Sequence, residues 1–169
     1  MSINVGFSKE TRSRIVAVRQ QYVNKDPNGY YRKARGPYSQ EAWAEMVGMS
    51  TRAVQEWEAG HVLPPNCKVI EMIRCGAAPI LAFQHMENEN ELFRQYFQPI
   101  RDKGLAESAL STIKELQDVV EDQRDLIDIA RDGKITPDET ERRDRITTNI
   151  RELMTELAIV LCALETDAE

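Results

Sequence analysis

Residues 39–60 read SQEAWAEMVGMSTRAVQEWEAG, and their pattern decides the fold: a helix, a tight turn and a second helix. Ser39 and Ser50 each precede a run with helical periodicity, at the N-cap position where a hydroxyl accepts a backbone N–H. Gly48 falls where the chain must reverse without the penalty of a Cβ. Ala44 is small where two helix backbones must approach, and Val47, Met49, Val54 and Trp57 recur at spacings that turn them inward. That leaves Thr51, Arg52, Gln55, Glu56 and Ala59 outward on the second helix. An α-helix fits the major groove of DNA, where Arg matches guanine, Gln adenine and Glu cytosine.

The charge of the whole chain argues against such a surface at first sight, since its 169 residues carry a formal net charge of −6. The charge is uneven, however. Residues 1–75 hold 11 Lys and Arg against 7 Asp and Glu, a net of +4, whereas 76–169 hold 11 against 21, a net of −10. Phosphates meet a local field rather than a net charge, so a weakly basic binding part joined to an acidic part with another task resolves the conflict.

Outward from the motif, a first helix is predicted from Ser8 to about Val23, with Ile15, Val18 or Arg19, and Tyr22 in step. The stretch 24–38 reads as a basic loop, with turn signals at Asp26-Pro27-Asn28-Gly29 and Gly36-Pro37. Its Lys25, Arg32, Lys33 and Arg35 interleave with Tyr30, Tyr31 and Tyr38. Two readings stay open: a loop lying along the phosphate backbone through Arg32, Lys33 and Arg35, or a solvated loop pinned by its tyrosines. After the motif, Asn66 is a candidate N-cap for CKVIEMIRC, with Gly76 as its stop. A further helix is expected from roughly Pro79 to Phe97, carrying Leu81, His85, Leu92, Tyr96 and Phe97, and Pro99 and Gly104 mark a break. Residues 1–98 are thus expected to form one domain.

Beyond the break lie two long amphipathic segments. In 105–131, Ala109, Ile113, Leu116, Val120, Gln123, Ile127 and Ala130 alternate at spacings of four and three, as do Ile146, Ile150, Leu153, Leu157, Val160 and Leu164 in 137–165. Such heptad-like seams belong to helices that pack lengthwise, each ~40 Å long at 1.5 Å per residue. RDGKITPDE between them is short, which predicts an antiparallel helical hairpin over 105–166. Leu110, Val119, Leu126, Met154, Ile159 and Leu161 widen the stripes beyond what one partner helix covers, so self-association into a dimer or tetramer, most simply as a four-helix bundle, is expected. Gln123 interrupts one seam, where a polar residue sets register.

The motif resembles the Cro/repressor-type helix-turn-helix of phage and bacterial regulators. Ala44, Gly48, Val54 and Trp57 match that family's core and turn positions, and Glu58-Ala59-Gly60 with Pro64 suits its usual ending. The resemblance implies that Gln40 grips a phosphate, with Ser50 beside it, and that Thr51, Arg52 and Glu56 read bases; Gln55 shares their face. Trp43, where an aliphatic residue is commoner, and the long 24–38 link depart from the family pattern. The helical tail with DGxITPxE at 132–139 is similar to phage CII-type regulatory proteins, which implies oligomerisation through C-terminal helices.

Other chemistries lack their signatures. Asp128, Asp132, Gly133, Ile135 and Glu139 fit positions of a calcium-loop template, but Ala130 supplies no ligand at position 3. Gly133 reads instead as a helix C-cap, and Thr136-Pro137-Asp138-Glu139 as a capping box. Cys67, Cys75 and Cys162 form no CxxC pair, so reduced thiols and no metal or cofactor are expected. No phosphate loop, GxSxG or HExxH appears, and Asp118, Glu121, Asp122 and Asp125 read as the wet face of a helix, so an enzyme is not expected. With no apolar run of ~20 residues and no secretory leader, a cytoplasmic chain without membrane contact is expected. The expectation is an all-α, sequence-specific DNA-binding transcriptional regulator, with double-stranded DNA, its own copies, and RNA polymerase or another protein as partners. The alternative is a DNA-binding antitoxin or adaptor whose acidic half holds a partner protein.

Overall fold

The computed structural model describes residues 24–131 and 133–166. The helix expected over Ser8–Val23 and the template position Asp132 lie outside them. The described residues form helices and no strand. These are α1 (Tyr30–Ala34), α2 (Gln40–Met46), α3 (Thr51–Glu58), α4 (Asn66–Arg74), α5 (Leu81–Glu89), α6 (Glu91–Tyr96), α7 (Leu105–Glu121), α8 (Gln123–Ala130) and α9 (Thr140–Thr166), with a 3₁₀ turn at Pro137–Glu139 before α9. None is long and apolar enough to cross a membrane.

The stretch 24–38 is not all loop. Asp26-Pro27-Asn28-Gly29 makes the expected turn, but α1 follows it at once. The buried Asp26 carboxylate accepts the N–H groups of Tyr30 at 3.0 Å and Tyr31 at 3.1 Å, satisfying donors that a helix start leaves orphaned. Asn88 on α5 donates to the same carboxylate at 3.0 Å, so one acid ties the turn to a helix 62 residues away. Tyr30 and Tyr31 are buried, joining Trp43, Val47, Val54, Trp57, Val69, Met72 and Leu81 in the core of the N-terminal part.

Asn66 is not an N-cap: Pro65 holds that position, and Asn66 is the first helical residue of α4. Its side chain faces His85, whose Nε2–H donates to Asn66 Oδ1 at 2.6 Å while Nδ1 accepts the Tyr31 hydroxyl at 2.7 Å. Burial lowers the pKa of this imidazole and so favours its neutral form, opposed by the Glu89 carboxylate 3.4 Å from Nε2. The single helix expected over 79–97 breaks at Asn90, whose backbone is extended and whose side chain caps α6 through Leu92 N. Likewise the 105–131 segment is interrupted at Asp122 between α7 and α8.

Residues 98–104 lack helix, as Pro99 and Gly104 predict, yet they are tightly held. Ile100 is buried with Ile80, Ile159 and Cys162, joining α9 to the start of α5. Glu87 accepts both the Tyr30 hydroxyl at 3.0 Å and Ile100 N at 3.2 Å, and Gln98 N donates to Thr155 at 2.9 Å.

Helices α7 and α9 pack antiparallel along their length through a polar face. Thr112 Oγ1 reaches Glu156 O at 3.3 Å, and Lys103 pairs with Glu156 at 2.6 Å. Further along, the buried Asp122 receives Arg145 Nε at 2.9 Å and Asn149 at 2.8 Å, with Asp125 completing the cluster through Arg142 and Arg145. Asp122, read from sequence as part of a wet face, is thus an inter-helix tie. The turn before α9 carries the capping box: Thr136 N donates to Glu139 at 2.8 Å, and this holds the Glu139 carboxyl below its usual range.

Candidate nucleic-acid interface

Helices α2 and α3 start as their serines predict. Ser39 accepts Ala42 N at 3.1 Å and Ser50 accepts Ala53 N at 3.2 Å. Between them Gly48 adopts φ 63, and Met49 N returns to Ala44 O at 2.8 Å while Gly48 N bonds Glu45 O at 3.2 Å. This left-handed reversal closes α2 and swings α3 across it. A residue that the motif did not single out completes the turn: Lys68 on α4 donates to Val47 O at 2.9 Å and Gly48 O at 3.2 Å. A cation at the C-terminal carbonyls also suits the helix dipole. Lysine spacing alone carries no signal for that contact.

Inside the motif Ala44, Val54 and Trp57 are buried, and so is Trp43, which stacks on Tyr38 with ring centroids 6.0 Å apart. The unusual Trp43 is thus a core residue that the 24–38 segment covers. Helix α3 is thereby fixed by its inner face, leaving Arg52 and Gln55 exposed and Thr51 and Glu56 half-buried on the outer one. Glu56 pairs with His61 at 2.9 Å.

The expected phosphate residues divide into two groups. Gln40 and Arg35 converge on Glu58, whose side chain is only 7% exposed: Gln40 Nε2 donates to it at 2.7 Å and Arg35 Nε at 2.6 Å. Gln55 in turn donates to Gln40 Oε1 at 3.3 Å, so α1, α2 and α3 are joined by one polar chain. Arg35 also donates to the Tyr38 carbonyl, which commits its guanidinium internally. That placement makes Arg35 a brace rather than a free cation. Arg32 and Lys33 are exposed, with Lys33 Nζ 5.8 Å from the Tyr30 ring centroid. Ser50 Oγ serves as a cap acceptor, and its hydroxyl proton remains available to an outside acceptor.

Gly60 ends α3 at φ 69, with His61 N bonded to Glu56 O at 3.0 Å. A Cβ here would lie 1.7 Å from Asn24 Oδ1, and Lys25 N bonds Gly60 O at 2.8 Å. The glycine therefore lets the chain entering α1 cross the end of α3.

The long helices offer a second surface. Ile113, Leu116, Val120, Ile127, Leu157 and Leu164 are each about half exposed; Ile150, Leu153 and Val160 are half-buried; Ile146 is buried within the chain. Ile146, at 5% exposed, is not part of an open face. Among the described residues no cluster of three or more His, Cys, Asp or Glu could hold a metal ion. Comparison with protein-family models, with curated proteins and with solved structures finds no match to this chain.

Proposed function

We propose that the chain is a sequence-specific DNA-binding transcriptional regulator of phage type, with a repressor-like helix-turn-helix and a C-terminal helical hairpin that joins copies of it. The observation that carries this reading is α3 itself: a capped helix locked from behind by Val54 and Trp57, with Arg52 and Gln55 exposed on the opposite face and Gln55 steadied by Gln40. A rigid helix presenting Arg and Gln suits direct readout of guanine and adenine. Exposed Arg32 and Lys33 lie on α1, which Arg35 ties to the end of α3, so they add affinity without sequence reading.

The long helices support the second half of the proposal. Side chains advance by about 100° per residue, so the Ile113/Leu116/Val120 stripe lies roughly 110° round α7 from the face that meets α9. On α9 the Ile150/Leu157/Leu161/Leu164 stripe is displaced by a similar angle in the same sense from its own contact face. Because the helices are antiparallel, equal rotations bring both stripes to one side of the pair. That side is apolar along its length, a shape that a second hairpin covers to give a four-helix bundle. Two copies then present two recognition helices to two half-sites.

Selection of bound sequences from a random DNA pool tests the reading. A defined motif is expected, with Arg52→Ala costing about 1–3 kcal/mol and relaxing one position of it. Recovery of unselected DNA, or a motif indifferent to Arg52 and Gln55, would refute it.

A further inference from the structure

We infer that the cavity between α1, the start of α5 and residues 100–102 is a binding site for a small organic anion with a compact apolar body. Its volume is about 510 Å³, within the range that small ligands occupy. Ile80, Leu81 and Ile100 supply an apolar floor.

Gln84 provides the first specific signal. It lines the cavity and is 7% exposed, yet its side chain makes no hydrogen bond to any described residue. The other buried polar groups nearby are satisfied: Asp26 holds three donors, and His85 uses both ring nitrogens. The amide opens onto the cavity, where it meets solvent and where a ligand oxygen or N–H can take the solvent's place.

The rim provides the second signal. Lys33 and Arg101 line the cavity and neither is in an ion pair among the described residues, while Asp102 is the lone carboxylate among the lining residues. Two cations against one carboxylate, a net of +1 above an apolar floor, fit a carboxylate or phosphate ester carried on a ring-sized body. None of the residues lining the site belongs to α3, so it stands independently of any reading of bases.

Titration of the full chain, followed by amide NMR, tests this with benzoate and phenyl phosphate as probes and benzamide and inorganic phosphate as controls. At least one aromatic anion is expected to bind saturably in the low-millimolar range and to move the Gln84 side-chain amide resonances. Both controls should bind about tenfold more weakly, as should the aromatic anion to Arg101→Gln or Gln84→Leu. Unfolding midpoints of the two variants check that they remain folded; Arg101 is exposed and makes no ion pair or hydrogen bond among the described residues, so its variant keeps the test decisive. Absence of saturation by either aromatic anion would mean that water alone fills the cavity and would overturn the inference. Equal binding of a control, or unchanged affinity in Arg101→Gln, would overturn it too.

Discussion

Replacing Arg35 by Met separates an internal brace from a phosphate contact. Arg35 Nε lies 2.6 Å from Glu58 Oε1, with the two side chains 17% and 7% exposed. Removing the guanidinium strands a buried carboxylate, and breaking such a pair costs about 3–5 kcal/mol when both partners are fully buried. Here Gln40 still donates to Glu58 at 2.7 Å and Arg35 keeps some solvent contact, which lowers the expectation to about 2–3 kcal/mol. Glu58→Gln keeps the shape and abolishes the charge, so it should cost less, about 1–2 kcal/mol. The double variant should recover at least about 1 kcal/mol relative to the sum of the singles, because the unpaired charge is gone. Urea unfolding measures all three, and DNA affinity against salt provides the second axis. Arg35→Met should leave the salt slope unchanged, whereas Arg32→Ala and Lys33→Ala should each lower it by about 1 with little loss of stability. Additive single effects, or a reduced slope for Arg35→Met without destabilisation, would refute the assignment of Arg35 as a brace.

Three further outcomes are expected. Leu116→Glu combined with Leu157→Glu should dissociate the assembly: each half-exposed leucine offers about 1 kcal/mol of burial to a partner, and a charge there opposes contact. Unchanged mass in sedimentation would place the interface elsewhere. Gly60→Ala should destabilise by about 1–3 kcal/mol, because a left-handed residue must also displace Asn24; a neutral effect on the urea midpoint would contradict that crossing. Burial depresses the His85 pKa below its ordinary 6.5, so the unfolded chain takes up the proton first as pH falls. His85 therefore contributes stability fully above about pH 6.5, and that contribution is lost as pH falls through the lower folded value. His85→Gln should flatten this part of the pH–stability curve, and an identical slope in the variant would refute the buried neutral imidazole.

Legibility in the sequence followed locality. Ser39, Ser50 and Gly48 were readable because a cap or a left-handed reversal is decided within four residues. The Thr136/Glu139 capping box was readable for the same reason. Asn66 misled because an asparagine before a helix looks like a cap, while its actual partner, His85, lies 19 residues away. The basic run 24–38 looked like loop because α1 is short, and its formation rests on Asp26 and on burial of Tyr30 and Tyr31 against distant helices. Lys68 escaped notice, and Glu58 was read only as part of the motif's ending, because their roles are contacts across the chain.

By itself the sequence determined the helical class, the capped turn at 47–49, the inward Val54 and Trp57 and the outward Arg52 and Gln55, since each follows from helical period and cap chemistry. Only tertiary structure decided how the cations and the apolar stripes are used. Arg32, Lys33 and Arg35 are alike in sequence, and the proximity of buried Glu58 and of the Tyr38 carbonyl sets Arg35 apart. The seams of 105–131 and 137–165 could equally have faced each other within the chain. Asp122 meeting Arg145 and Asn149, with Lys103 meeting Glu156, turns polar faces together and leaves Ile113, Leu116, Val120, Leu157 and Leu164 outside. Periodicity states that a helix has an apolar side; only the pairing of specific charges across space states which way it points.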